Sequence, residues 1–174
     1  GKQFDTSCKK ALICIGINPS TAIPERLDPT LKRVQKYTKR SGEYGAWYML
    51  NVYSQRATNP DDMDIDPNME IHRNNLTAIK NLLSEIKEAD VWCAWGNLIG
   101  KRKYLYDLLF GNKEKDIDGI ISLFNANYHF KAYGATTKGN PKHPLLIGEK
   151  AELSSLDEIG LKELSDRIIN NIKK

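Results

Sequence analysis

Four apolar runs of strand length alternate along the chain with longer stretches whose apolar residues recur every three or four positions. Such a pattern belongs to a parallel sheet covered by helices on both faces. Residues 11–17 are apolar almost throughout, as a strand buried on both sides requires, and the run ends at Asn18-Pro19. Residues 46–50, 90–95 and 128–133 read as the next three strands, followed by Asn51, Gly96 and the polar loop 134–142. A helix is expected to start at Asp28-Pro29, because Asp can cap free amides and Pro suits the first helical position. Leu31, Val34 and Tyr37 share its apolar face, and Ser41-Gly42 stops it. Asp66-Pro67 repeats the start signal before a long amphipathic helix carrying Met69, Leu76, Ile79, Leu83 and Ile86. A further helix runs through Tyr104, Leu105, Leu108 and Leu109 to Gly111-Asn112, residues 118–125 read as a short one, and residues 156–170 as the last. The expectation is one domain over residues 1–174, a three-layer α/β/α sandwich around a four-stranded, mainly parallel sheet.

At 174 residues, with 40% apolar and 28% charged, the chain can bury a real core without disulfides or metal staples. Its 26 basic and 22 acidic residues leave a net charge of +4, which permits a polyanionic partner but does not demonstrate one. No apolar run approaches the roughly 20 residues that span a bilayer, and residues 1–10 carry no hydrophobic secretion segment. A cytoplasmic protein acting away from membranes, as a monomer, is expected. Cys8, Cys14 and Cys93 lack Cys-x-x-Cys spacing and read as reduced thiols, so the Asn75-Leu76-Thr77 sequon carries no weight. There is no Gly-x-Gly-x-x-Gly, and residues 96–102 have one residue too few between their glycines for a phosphate-binding P-loop. Dinucleotide dehydrogenases and P-loop nucleotidases are thereby disfavoured. Scattered His and Cys residues give no metal set, and no cofactor is expected.

Where, then, does the chemistry lie? In open parallel α/β sheets the ligand crevice lies beyond the carboxyl ends of the strands. Asn18-Pro19-Ser20-Thr21, residues 51–56, Gly96-Asn97 and residues 138–144 each follow a strand, so all four polar clusters fall on one rim. Helix starts abutting that rim add amide donors and favour an anionic group such as a phosphodiester.

These motifs resemble the uracil-DNA glycosylase superfamily in its mismatch-specific and thymine-DNA glycosylase branch. Gly16-Ile17-Asn18-Pro19 is similar to its first motif, Met49-Leu50-Asn51 to its strand-end Asn, residues 91–96 to its hydrophobic strand ending in Trp-Gly, and His143-Pro144 to its late His-Pro. More closely, residues 18–22, 28–30, 51–60, 94–96 and 139–144 resemble a bacterial and phage family known as domain of unknown function 1643. The first resemblance implies a uracil-DNA glycosylase-like fold and hydrolysis of the N-glycosidic bond of a damaged or modified base in DNA, as in base excision repair. It implies that Asn18 positions the attacking water, that His143 donates to the developing base anion, and that Asn51, with Ile17 and Tyr53, holds the extruded base. Trp47 is an alternative stacking partner. Ser20, Thr21, Asp28, Arg56, Gly96, Asn97, Lys138 and Lys142 are candidates for phosphate or ligand contacts. This chain departs from the pattern in three places. No Asp follows Gly16, no Tyr follows Pro19, and Leu145-Leu146 replaces Ser-Pro after His143-Pro144, where Leu145 could itself act as a wedge.

Each candidate also has a plainer reading. Asn18-Pro19 could be a turn, Asn51 a strand-end cap, His143 a surface residue and Asp28 only a helix cap. Arg56 could pair with Asp61 or Asp62 rather than with a phosphate, His72 and His129 read as structural, and Trp92 and Trp95 as core. Basic residues 32, 33, 36, 39 and 40, and the run 101–103, are either a solvated face or a path for a nucleic-acid backbone. Two other functions stay open: a non-catalytic nucleotide or nucleic-acid binding module, for instance in phage–host conflict, and an N-glycoside hydrolase or transferase acting on free nucleosides.

Overall fold

The computed structural model describes residues 1–5, 7–8, 10–19, 26–57, 59–156, 160, 163–164 and 166. Its sheet has strands β1 (Lys2–Gln3), β2 (Ala11–Gly16), β3 (Ala46–Asn51), β4 (Ala89–Cys93), β5 (Tyr128–Ala132) and β6 (Ser154–Ser155), in the order β1-β3-β2-β4-β5-β6. β3, β2, β4 and β5 run parallel, while the two-residue strands β1 and β6 pair antiparallel at the edges. Among the described residues the sheet therefore has six strands rather than the expected four. The short edge pieces are polar and exposed, so no hydrophobic pattern announces them.

Register explains the layers. Ile13 and Ile15 align with Val91 and Cys93 and share one face with Leu50 and Ala89, against which Leu76 and Ile79 of α2 (Met69–Glu85) and Leu105 and Leu108 of α3 (Tyr104–Phe110) pack. Leu12, Cys14, Trp47 and Trp92 point the other way, onto Val34 and Tyr37 of α1 (Pro29–Ser41). Trp92 meets the Tyr37 ring with centroids 5.3 Å apart. Helix α1 starts where the sequence placed it: Asp28 accepts a hydrogen bond from the Leu31 amide at 2.8 Å, and Gly42 ends the helix in the left-handed region at φ 70°. Helix α2 starts later than Asp66-Pro67, because Asn68 is the cap and accepts from the amides of Glu70 and Ile71. Residues 118–125 form only the single 3-10 turn Ile120–Leu123. The expected last helix lies mostly outside the described residues.

Charge is buried at the amino end of the strands. Asp90, fully inaccessible, takes Lys131 Nζ at 2.5 Å, Lys10 Nζ at 2.9 Å and the Tyr44 hydroxyl at 2.6 Å. Burial alone would raise its pKa, but the bonds from Lys131, Tyr44 and Lys10 outweigh that and hold the carboxyl below its ordinary range. On α2, His72 is buried with Nε2 2.8 Å from the Asp118 carbonyl, to which it donates. His129 is exposed on β5. Among the described residues no helix is long and apolar enough to cross a membrane.

Candidate functional site

The chain leaves β2 toward α1 on one face and leaves β4 toward α3 on the other, so a crevice opens between the carboxyl ends of these neighbouring strands. A cavity of about 210 Å³ occupies that position, lined by Gly16, Ile17, Asn18 and Pro19 after β2, Asp28, Thr30 and Leu31 at the start of α1, and Met49, Asn51 and Arg56 around the end of β3. Trp95 and Leu98 beyond β4, and His143, complete the wall.

The backbone of this rim is held by bonds that continue the sheet past its formal ends. Val52 and Tyr53 donate to Gly16 and Ile17 carbonyls at 3.0 and 2.8 Å, and Ala94 donates to Ile15 at 3.1 Å. Asn18 turns its amide nitrogen to the Ala57 carbonyl at 2.7 Å. That bond fixes the orientation of the amide and leaves Oδ1 as the acceptor on the other side. Asn51 is the last residue of β3, opposite Gly16; its carbonyl accepts from Asn75 Nδ2 at 2.9 Å. No described residue bonds its side-chain amide, which borders the cavity. A Cβ on Gly16 would stand 2.5 Å from Met49 Cε and 3.3 Å from Asn51 Oδ1, so glycine keeps this corner open.

His143 caps the 3-10 turn Pro144–Leu146, where its Nδ1 accepts from the Leu145 amide at 3.3 Å. With Nδ1 an acceptor, Nε2 carries the proton and is a donor. Burial lowers the imidazole pKa below its ordinary value, the nearby charge of Asp28 offsetting only part of this, so the ring is neutral at pH 7. Gly96 holds the loop in place from below. It sits at φ 60°, donates to the Pro141 carbonyl at 3.0 Å, and lies so close that a Cβ there would be 3.2 Å from His143 Cβ. Asn97 completes the support: its Oδ1 accepts from Thr136 Oγ1 at 2.7 Å and from Asn140 Nδ2 at 3.0 Å.

Of the residues singled out by the sequence, Ile17, Asn18, Asp28, Asn51, Arg56 and His143 therefore meet around one cavity. Tyr53 does not line it. Its ring is buried against Tyr104, and its hydroxyl donates to Asp64 at 2.5 Å and accepts from the Asn68 amide. Burial, with the bond to Asp64, pushes this phenol up to about 12. Trp47 is buried against α1 on the opposite face. Gly96 and Asn97 do not line the cavity either, and shape the loop that carries His143. Lys142 lies over the Tyr133 ring at 5.6 Å, Lys138 is exposed, and neither lines the cavity. Ser20 and Thr21 lie outside the described residues.

Arg56 is exposed and makes no described ion pair with Asp61 or Asp62; Asp61 pairs instead with Lys101. Arg102 donates to the carbonyls of Asp61, Met63 and Asp64, which ties down the loop after β3. On α1, Lys36 and Arg40 pair with Glu149 and Glu152. Much of the two basic runs is thus engaged within the fold. The residue that sequence reasoning passed over is Asn75, which holds the end of β3 from α2; only its place in a sequon had drawn notice. Among the described residues no group of three or more His, Cys, Asp and Glu could hold a metal ion.

No curated protein and no solved structure matches the chain. A family model described as "Protein of unknown function (DUF1643)" matches residues 2–145, most of the sequence, and the chain belongs to that family.

Proposed function

We propose that the chain seats a flat nucleobase in this cavity and hydrolyses its N-glycosidic bond, acting on a damaged or modified base in DNA. The observation that carries the reading is the meeting of Asn18, Asn51 and His143, from three separate parts of the sequence, around one hollow. The motif resemblance to the uracil-DNA glycosylase superfamily is a second support, and the parallel order β3-β2-β4-β5 is compatible with a fold of that kind.

Breaking a base–sugar bond builds positive charge on the sugar and negative charge on the departing base. The Nε2–H of neutral His143 is a donor suited to an oxygen of that base as its charge develops. Asn51 offers an acceptor and a donor side by side, which can match the edge of an extruded base. Asn18 Oδ1 can accept from a water and hold it. Arg56, exposed at the mouth, suits a flanking phosphate. Leu145 and Leu146, 46% and 63% exposed directly after Pro144, are apolar side chains of the kind that can fill the gap an extruded base leaves in the stack.

The test is incubation with labelled oligonucleotides carrying uracil, hypoxanthine, xanthine or hydroxymethyluracil, followed by alkali. Strand breaks are expected with at least one, falling by about 10²–10³-fold in His143→Ala and also falling in Asn18→Ala. Salt-sensitive binding without cleavage of any substrate would favour the non-catalytic module and overturn the hydrolytic reading. A second reading, hydrolysis of free nucleosides, is favoured by the ion pairs that engage Lys36, Arg40 and Lys101. Nucleoside cleavage with no action on DNA would establish it.

A further inference from the structure

We propose that Asp28 is the general base of this site and takes the proton of the water that attacks the sugar carbon. The assignment rests on the N-glycosidic reading above and names the group that reading lacks.

Elimination among the cavity's own residues leads there. Asn18 is an amide whose nitrogen is committed to the Ala57 carbonyl at 2.7 Å; its oxygen can accept a hydrogen bond from water but cannot keep the proton. His143 uses Nδ1 to accept from Leu145, so the nitrogen left for a ligand already bears hydrogen and acts as a donor. Making it a base would require the other tautomer and the loss of that cap. Arg56 has no acceptor, and Thr30 would need a base of its own. Asp28 is the one carboxylate among the described residues lining the cavity.

Its placement suits the role. Asp28 is fixed by the cap bond from Leu31 to Oδ1, and the 13-residue helix behind it is anchored in the core through Val34, Tyr37 and Thr38. A carboxylate so held is pre-oriented and needs no lid to bring it in. Asp28 and His143 line the same cavity of about 210 Å³, so one bound ligand can meet both.

The step balances. One O–H bond of the water breaks and its proton passes to Asp28, while the water oxygen bonds to the sugar carbon. The carbon–nitrogen bond breaks and its electron pair leaves with the base, whose oxygen receives a hydrogen bond from His143 Nε2. The released base then takes a proton from Asp28 or solvent, which restores the carboxylate.

Asp28→Asn is the informative substitution, because Asn is as good a cap as Asp and has the same shape. Asp28→Ser, also a capping residue, serves as the second variant should the first misfold. Expected are a loss of cleavage rate of about 10²–10⁴-fold and binding of the substrate oligonucleotide kept within a few-fold. Independently of activity, the His143 imidazole titration followed by NMR should move to lower pH in Asp28→Asn, since the carboxylate charge raises it. Cleavage by Asp28→Asn at the wild-type rate would overturn the assignment and leave the hydrolytic reading standing. Failure of the wild type to cleave any base from DNA or nucleoside would remove both.

Discussion

Replacing Gly96 by alanine, with Gly42 as its control, separates backbone strain from a specific contact to His143. Both glycines have positive φ, 60° and 70°, where an L side chain costs about 1–2 kcal/mol. Alanine also restricts the unfolded chain, which returns about 0.4–1 kcal/mol. Each variant should thus lose about 1 kcal/mol from strain alone. The surroundings differ. Nothing lies within 4 Å of a Cβ at Gly42, whereas at Gly96 it would meet His143 Cβ at 3.2 Å and His143 N at 3.7 Å. The loop cannot easily retreat, because Pro141 accepts from the Gly96 amide and Asn97 grips Thr136 and Asn140. Overpacking against such a neighbour adds about 1 kcal/mol or more. Urea denaturation should therefore place Gly96→Ala about 1 kcal/mol below Gly42→Ala at unchanged m value. The His143 ring resonances should shift in the first variant and stay fixed in the second. Equal stability losses with unmoved His143 signals would refute the idea that Gly96 sets the position of the imidazole.

Two further outcomes follow from the packing. Asp90→Ala leaves Lys10 and Lys131 facing a buried void and should cost about 3 kcal/mol or more by denaturant titration. Because the folded pKa of Asp90 is depressed, its contribution is complete above the unfolded value of about 3.8 and is lost as pH falls through the folded one, so the wild-type melting temperature should drop below pH 4 more steeply than that of Asp90→Asn. Asn75→Ala removes the donor that holds the carbonyls of Asn51 and Val52, and should cost about 1–2 kcal/mol. If the proposed function holds, binding of a substrate oligonucleotide should weaken in this variant while the His143 titration stays where it was.

The central strands were legible because they are buried on both faces, and such strands read as near-continuous apolar runs, as residues 11–16 do; Asp90 in β4 is the charged exception. The edge strands were not, since Lys2–Gln3 and Ser154–Ser155 pair through backbone alone. The rule that ligands gather at strand ends brought out Asn18, Asn51 and His143, which share the cavity. It did not say which rim residues face inward. Tyr53 and Asn97 also follow strand ends closely, two residues past β3 and four past β4, yet Tyr53 turns to Asp64 and Asn97 to Thr136. Those partners lie 11 and 39 residues away, and no local pattern records them. Asn75 was invisible for the same reason: it looks like one more exposed position on α2 until the helix is laid across the end of β3.

Charge is used differently at the two ends of the sheet, and the contrast bears on what the cavity can hold. At the amino end Asp90 is inaccessible and paired with Lys10, Lys131 and Tyr44, so its charge is used within the fold. At the carboxyl end Asp28 and Arg56 border a hollow open to a small molecule, and with His143 neutral their charges cancel. A phosphate seated deep in that hollow would face the carboxylate as well as the guanidinium and gain little from the pair. An uncharged heterocycle meets two amides, an imidazole donor and the apolar sides of Ile17, Leu31, Met49 and Leu98 without any such penalty. On the proposed reading, this balance favours a base inside and any phosphate outside, toward exposed Arg56. That is the arrangement in which a carboxylate beside the base can act on a water rather than repel the ligand.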